Sequence, residues 1–135
     1  MSLATALFER PANLGAASRY GVMNGYLYLT IGGLLVVWPG AVQVLLRDRA
    51  FVGDEQGLFR TIGLAVIVIG WLYLFGSRTG GRQVVAASVI DRIVFVPAVL
   101  LPLAIAGIFP HVCLAFTALD VSLAIGAWLL LRRQD

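Results

Sequence analysis

The sequence predicts an all-α integral membrane protein: a bundle of four transmembrane helices joined by short loops. The first observation is composition. Of 135 residues, 60% are hydrophobic and only 13% are charged, whereas soluble domains average about 45–50% apolar and about 25% charged residues. A chain this short and apolar has too few polar residues to cover a water-facing surface. Lipid is therefore expected to form part of its solvent.

The second observation is that the apolar residues fall into long segments, each near the roughly 20 residues that a spanning helix needs. The predicted helices cover residues 21–38, 58–75, 84–109 and 112–131, within a transmembrane domain of residues 21–135. These runs are too long for the strands of a membrane barrel, and apolar and polar residues do not alternate in them. A helix also satisfies its backbone hydrogen bonds internally, which lipid requires.

Two of the three breaks between the predicted helices contain proline. The first helix ends at Pro39-Gly40, because proline interrupts helical hydrogen bonding. The apolar segment 41–46 then either continues this helix beyond a kink or turns back at the membrane surface. Only Pro110-His111 separate the third and fourth helices, which predicts a tight hairpin.

The N-terminal segment, residues 1–20, is predicted to lie at the cytoplasmic membrane surface rather than to be a cleaved signal peptide. Its apolar run Leu3–Phe8 is short and is followed by Glu9, Arg10 and Pro11. A secretory signal needs a longer apolar core and a small-residue cleavage site.

The arginines predict the orientation of the bundle. One side receives the N-terminal segment, the loop between the second and third helices, and the C-terminus. Its arginines are Arg10, Arg19, Arg78, Arg82, Arg132 and Arg133. On the other side, acidic residues offset Arg47 and Arg49. The positive-inside rule then places both termini in the cytoplasm.

Small residues indicate which face of each helix packs inward, since lipid gives helices no hydrophobic reason to associate. The packing positions predicted on the first, second and fourth helices are Gly21, Gly25, Gly32, Gly63, Gly70 and Ala124. On the third helix the predicted inward stripe is Ala87, Asp91, Val94 and Ala98.

The candidate site consists of charged residues within the spans, namely Arg60, Asp91, Arg92 and Asp120. A charge at the bilayer centre costs about 2.5–3.5 kcal/mol even on insertion scales, so a partner or a wet cavity is expected. At 1.5 Å per residue, Asp120 lies roughly 12–13 Å below the outer end of its helix, within reach of Arg92 or Arg60. Three roles stay open: buried pairs that fix helix register, ligand binding, or an ion or proton path.

Several classes of site are not predicted. A single cysteine excludes an internal disulfide, and one histidine provides no Cys/His metal cluster. No cofactor motif and no nucleophile–base pair is recognisable, so catalysis is not expected, although two aspartates could act as general acid and base. The net charge of +3 comes from scattered arginines without a dense basic run, which does not predict nucleic-acid binding.

Three stretches carry a family resemblance. They are the second helix with its opening arginine (LFRTIGLAVIVIGWLYLF), the charged pair of the third (VIDRIVF) and the aspartate of the fourth (ALDVSLAIGAWLLLRR). With these features the chain resembles, over residues 20–133, the small bacterial four-helix membrane proteins described as DoxX-like. The resemblance implies a bacterial inner membrane protein, and many such proteins have no assigned activity.

Three functions are considered. The sequence favours a non-catalytic accessory or structural subunit, whose small-residue stripes dock on other membrane subunits or on a second copy. The alternative is a binding protein or enzyme for a lipid-like molecule, such as a quinone, isoprenoid or sterol analogue. This ligand would be held between the third and fourth helices near Asp91, Arg92 and Asp120. A small oligomeric transporter is the third.

Overall fold

The computed structural model describes residues 2–9 and 13–134, and within them it contains helices and loops but no β-strand. Four helices are long and apolar enough to cross a membrane. They are α2 (Ala16–Val37), α4 (Glu55–Ser77), the third span Arg82–Ile105, and α7 (Pro110–Arg132). The predicted class is confirmed: the chain is an all-α, multi-span membrane protein.

Shorter elements complete the chain. Helix α1 covers Leu3–Leu7, and α3 covers Ala41–Leu46. The third span consists of α5 (Arg82–Ile90), a π-helical segment (Asp91–Phe95) and α6 (Val96–Ile105). The apolar stretch after Pro39-Gly40 is thus a separate short helix and does not extend α2.

The N-terminal boundary differs from the prediction. The first span begins at Ala16 instead of residue 21, and its opening residues Ala17 and Ser18 are already buried. The predicted surface segment is therefore shorter than residues 1–20. Arg10 and Pro11, which were expected to stop a signal-like run, lie outside the described residues.

The four spans run alternately up and down. At the end where α2 begins, Gly126 of α7 approaches Tyr20 so closely that a β-carbon there would lie 2.9 Å from Tyr20 Cζ. At the opposite end, the rings of Phe59 in α4 and Phe109 before α7 have centroids 4.8 Å apart. Helix α2 thus begins where α7 ends, and α4 begins where α7 begins.

Glycines bring α2 and α4 into backbone contact. A β-carbon added to Gly25 would lie 2.5 Å from the Leu74 backbone nitrogen, and one added to Gly32 would lie 2.7 Å from the Gly63 carbonyl oxygen. Such approaches exclude any larger residue unless the helices separate, which is how small residues promote association in lipid. The predicted packing positions are all buried, namely Gly21, Gly25, Gly32, Gly63, Gly70 and Ala124.

The predicted stripe of the third span is wrong except at Asp91, which is half-buried. Ala87, Val94 and Ala98 are exposed. The inward face instead contains Val85, Ser88, Val89 and Arg92. The two valines pack on small residues of the neighbouring helices, Ala17 and Ala127. Here the small residues belong to α2 and α7, and the third span contributes the large side chains.

The loop between α3 and α4 lies at the end of the bundle where α4 and α7 begin, which is called its outer end here. A buried carboxylate ties this loop to α7. Asp48 accepts hydrogen bonds from the backbone N–H of His111, at 3.2 Å, and of Val112, at 2.7 Å. Both N–H groups lie in the first turn of α7, where helical donors have no partner within the helix. Asp48 thus caps α7 from a distant part of the chain.

Replacing Asp48 with alanine is expected to destabilise the protein by about 1–2 kcal/mol, because the α7 donors lose their cap. Asp54→Ala is the matched control: Asp54 precedes α4, yet its side chain makes no capping hydrogen bond within the described structure. We expect the control to change stability by less than about 0.5 kcal/mol. Thermal unfolding in mild detergent measures both. Equal effects of the two substitutions would refute the capping role.

Candidate functional site

An apolar cavity of about 480 Å³ lies within the bundle, in the range of pockets that hold small molecules. Helix α4 supplies one wall with residues such as Ile62 and Val66. The third span and α7 supply the other walls, with residues such as Val99, Leu103 and Phe116. The cavity therefore lies between α4 and the hairpin formed by the third span and α7.

The cavity exists because α4 and α6 pack on different partners. Glycine contacts hold α4 against α2, whereas α6 packs on α7. None of the residues in α6, all of which the structure describes, is buried. Residues along the gap are exposed, including Ile62 by 46% and Val99 by 60%. The cavity thus opens sideways, toward the surface that faces lipid.

Aromatic rings close the outer end of the cavity. Phe59 and Phe109, both buried, line it, and Phe51 packs against each of them with centroids 4.9 and 5.9 Å away. Phe109 has a φ of 43°, a left-handed conformation that is uncommon for a residue other than glycine. This backbone turn begins α7 and directs the Phe109 ring to the cluster.

The three rings of Phe51, Phe59 and Phe109 form an aromatic lid, and a guanidinium covers this lid on the side away from the cavity. The Arg49 Cζ atom lies 4.2 Å from the centroid of the Phe109 ring, a cation–π contact. Its two terminal nitrogens donate to the Glu55 carboxylate at 2.7 and 2.8 Å. This hydrogen bonding raises the pKa of Arg49 above its ordinary value, so the group stays charged. The outer end of the cavity is sealed by an aromatic cluster beneath an ion pair.

Asp120 lies on the cavity wall at the inner end. Among the described residues that line the cavity it is the only charged one, and its exposed fraction is only 6%. The Tyr28 hydroxyl of α2 donates to Asp120 Oδ1. The second oxygen, Oδ2, makes no hydrogen bond with any residue that the structure describes, and it is not fully enclosed. Asp120 thus lines an otherwise apolar space and has one carboxylate oxygen without a partner in the described structure.

Arg92 lies behind Asp120, between two tyrosine rings. Its Cζ atom is 4.5 Å from the Tyr73 centroid and 5.4 Å from the Tyr28 centroid, and the side chain is 1% exposed. Arg92 Nε donates to the Tyr73 hydroxyl at 3.4 Å, and that hydroxyl donates to Asp91 Oδ2 at 3.0 Å. Tyr28 therefore joins the arginine to the cavity carboxylate, and Tyr73 joins it to Asp91.

The predicted charged residues separate into two groups. Arg92 and Asp120 are buried and Asp91 is half-buried, and the tyrosines connect all three. The predicted ion pair between Asp120 and Arg92 is absent, since Tyr28 lies between the two side chains. The expectation that Arg60 points inward is wrong. Its side chain is exposed and donates to the Val36 carbonyl at 3.2 Å, so it does not reach Asp120.

Two tyrosines of the site, Tyr28 and Tyr73, were not among the predicted site residues. Asn24 is 1% exposed, and neither of its side-chain polar atoms has a partner within the described structure. One signal was available: Asn24, Tyr28 and the predicted glycines share one face of α2, and a buried tyrosine hydroxyl needs a partner.

The fold and the site define a small multi-span membrane protein with an internal apolar cavity that ends at one buried carboxylate. Comparison of the chain with protein-family models, with curated proteins and with solved structures found no match. The resemblance to DoxX-like proteins therefore stays a prediction.

Proposed function

We propose that this protein binds a lipid-like small molecule in the cavity beside Asp120. One observation carries the proposal: an apolar space of about 480 Å³ has a single carboxylate at its inner end. Ligand sites are characteristically apolar enclosures in which a few polar groups fix the orientation of the ligand. The cavity fits that description in both respects.

The size of the cavity limits the ligand. The cavity volume of about 480 Å³ lies in the lower half of the range of roughly 300–1,000 Å³ that is usual for small-molecule pockets. Asp120 and Phe109 are eleven residues apart, so the cavity extends roughly 16 Å along the axis of α7. These dimensions suit an elongated apolar molecule about as large as a sesquiterpene.

The lateral opening suits a ligand that is dissolved in the bilayer. Such a molecule can move between α4 and α6 without crossing water, and the exposed rim residues Ile62, Phe95 and Val99 are all apolar. The aromatic lid closes the path from the outer aqueous side. Exchange with lipid is therefore the route that the geometry favours.

The accessory-subunit hypothesis loses the observation that supported it. Its glycine stripes were expected to dock on another subunit, but Gly25 and Gly32 of α2 contact α4 of the same chain. Docking on other subunits and self-association stay predictions, as does the small transporter. We prefer ligand binding because the structure contains an apolar cavity of suitable size beside Asp120.

For orientation, we propose that both termini face the cytoplasm of a bacterial inner membrane. Arginines at the shared end of the bundle support this: Arg19, Arg78, Arg82, Arg132 and Arg133. The opposite end pairs Arg49 with Glu55 and therefore contributes little net charge. A cysteine-accessibility assay on each loop would test the orientation.

The proposed function is tested by filling the cavity. Ala65 lines it, and Ala118 is an exposed alanine on α7 that does not line it. We expect Ala65→Trp to lower the affinity for farnesol by about ten-fold or more, since the indole occupies ligand space, whereas Ala118→Trp leaves the affinity unchanged.

Native mass spectrometry in nanodiscs, titrated with farnesol, measures binding to the wild type and both variants. Thermal unfolding verifies that each variant is folded. Equal binding by the three proteins would indicate partition into lipid, and it would overturn the proposal.

A further inference from the structure

We infer that the ligand presents one neutral hydroxyl group to Asp120 and is otherwise apolar. This inference rests on the proposed function and names the ligand class more narrowly. It follows from two features of the site: the free carboxylate oxygen, and the apolar character of the remaining wall, which disfavours both a charged group and a second polar group.

The free oxygen requires a hydrogen-bond donor. Tyr28 already donates to Asp120 Oδ1, so the carboxylate acts as an acceptor, and Oδ2 keeps its accepting capacity. A ligand with only acceptors, such as a quinone, an ester or an ether, would place its lone pairs against those of Oδ2. A hydroxyl or an amine donates to it instead. The site therefore selects for a donor.

The apolar wall selects against a charged donor. An ammonium group would have to lose its water shell in an otherwise apolar space, and the cost of desolvating a buried ion pair can exceed its electrostatic attraction. An anionic headgroup would be repelled by Asp120. A neutral hydroxyl avoids both penalties.

The rest of the wall allows no second polar group. Apart from Asp120, the described lining residues are aliphatic or aromatic, except for Cys113, whose thiol already donates to the Ile108 carbonyl at 3.4 Å. A further polar atom on the ligand would be buried without a partner. The ligand is therefore a mono-alcohol whose hydroxyl lies at the inner end of the cavity.

The test compares four probes with the same isoprenoid body: farnesol, farnesyl methyl ether, farnesylamine and farnesene. Binding is measured by native mass spectrometry in nanodiscs. We expect wild-type protein to bind farnesol about ten-fold or more tightly than the methyl ether, the size of effect typical of a hydrogen bond to a charged acceptor. The amine and the hydrocarbon should also bind more weakly than the alcohol.

Asp120→Leu should abolish the preference for the alcohol while farnesene still binds, which shows that the variant keeps its cavity. Asp54→Leu is the matched control, because Asp54 is exposed, precedes α4 and does not line the cavity. It should retain the preference of the wild type.

The outcomes separate the two proposals. If none of the four probes binds, the proposed function fails, and this inference fails with it. If the probes bind and the methyl ether equals or exceeds farnesol, the cavity binds ligands but the requirement for a donor is wrong. If farnesylamine binds tightest, the requirement for a neutral group is wrong.

Discussion

Gly32→Ala is expected to destabilise the bundle by about 1–3 kcal/mol relative to Gly33→Ala, the cost typical of an overpacked interior. The added methyl group would lie 2.7 Å from both the Gly63 carbonyl oxygen and the Ile67 backbone nitrogen. Both are backbone atoms of α4, so no change of rotamer relieves the contact. The two helices must move apart along their whole interface.

Gly33 provides an unusually close control. It is the next residue of the same helix, and no described atom lies within 4 Å of a β-carbon placed there. Both substitutions gain the same helix propensity, worth about 1 kcal/mol, so their difference isolates the contact. Circular dichroism recorded during unfolding in a denaturing detergent measures this difference in stability. If the two variants are equally stable, α2 and α4 do not approach as described.

The sequence was sufficient to predict elements whose pattern is local. The four spans followed from the length of the apolar runs, and the structure confirms them. The inward face of α7 was also recognisable, because Thr117, Asp120 and Ala124 recur at helical spacing. In α2 and α4, the glycines correctly predicted the contact because both helices have small residues at their shared interface.

The same rule failed for the third span. Small residues mark the inward face only when the neighbouring helix also presents its backbone. Val85 and Val89 instead fill the space beside Ala17 and Ala127, so large residues face inward there and Ala87 faces outward. A single-helix pattern cannot show which of two partners contributes the small residues.

The cavity could not be predicted from any one helix either. It results from α4 packing on α2 while α6 packs on α7, which is a property of the assembled bundle. The sequence placed Asp120 on the inward face of its helix but gave it arginine partners. The hydroxyl of Tyr28 bonds it instead, and Arg92 lies against the ring of that tyrosine. The face of a helix follows from residue spacing, whereas partner choice depends on packing.

The largest effect is expected for Arg92→Leu. The substitution removes a buried cation that lies against the Tyr28 and Tyr73 rings and is linked through the Tyr73 hydroxyl to Asp91. Removing one member of a buried charged group typically costs about 3–5 kcal/mol, because the remaining charge has lost its compensation. We expect a loss of that size in unfolding experiments. Arg60→Leu, which changes an exposed arginine, should cost less than about 0.5 kcal/mol.

A double-mutant cycle separates lost charge compensation from lost packing. If Arg92 stabilises the protein by offsetting Asp120, then Arg92→Leu combined with Asp120→Leu should recover much of the stability that Arg92→Leu alone loses. Coupling energies of about 0.5–3 kcal/mol are typical of residues in one network. Strictly additive losses would mean that the arginine acts through its tyrosine contacts alone. In either case the second Asp120 oxygen still requires a donor, because the Tyr28 hydroxyl bonds only the first.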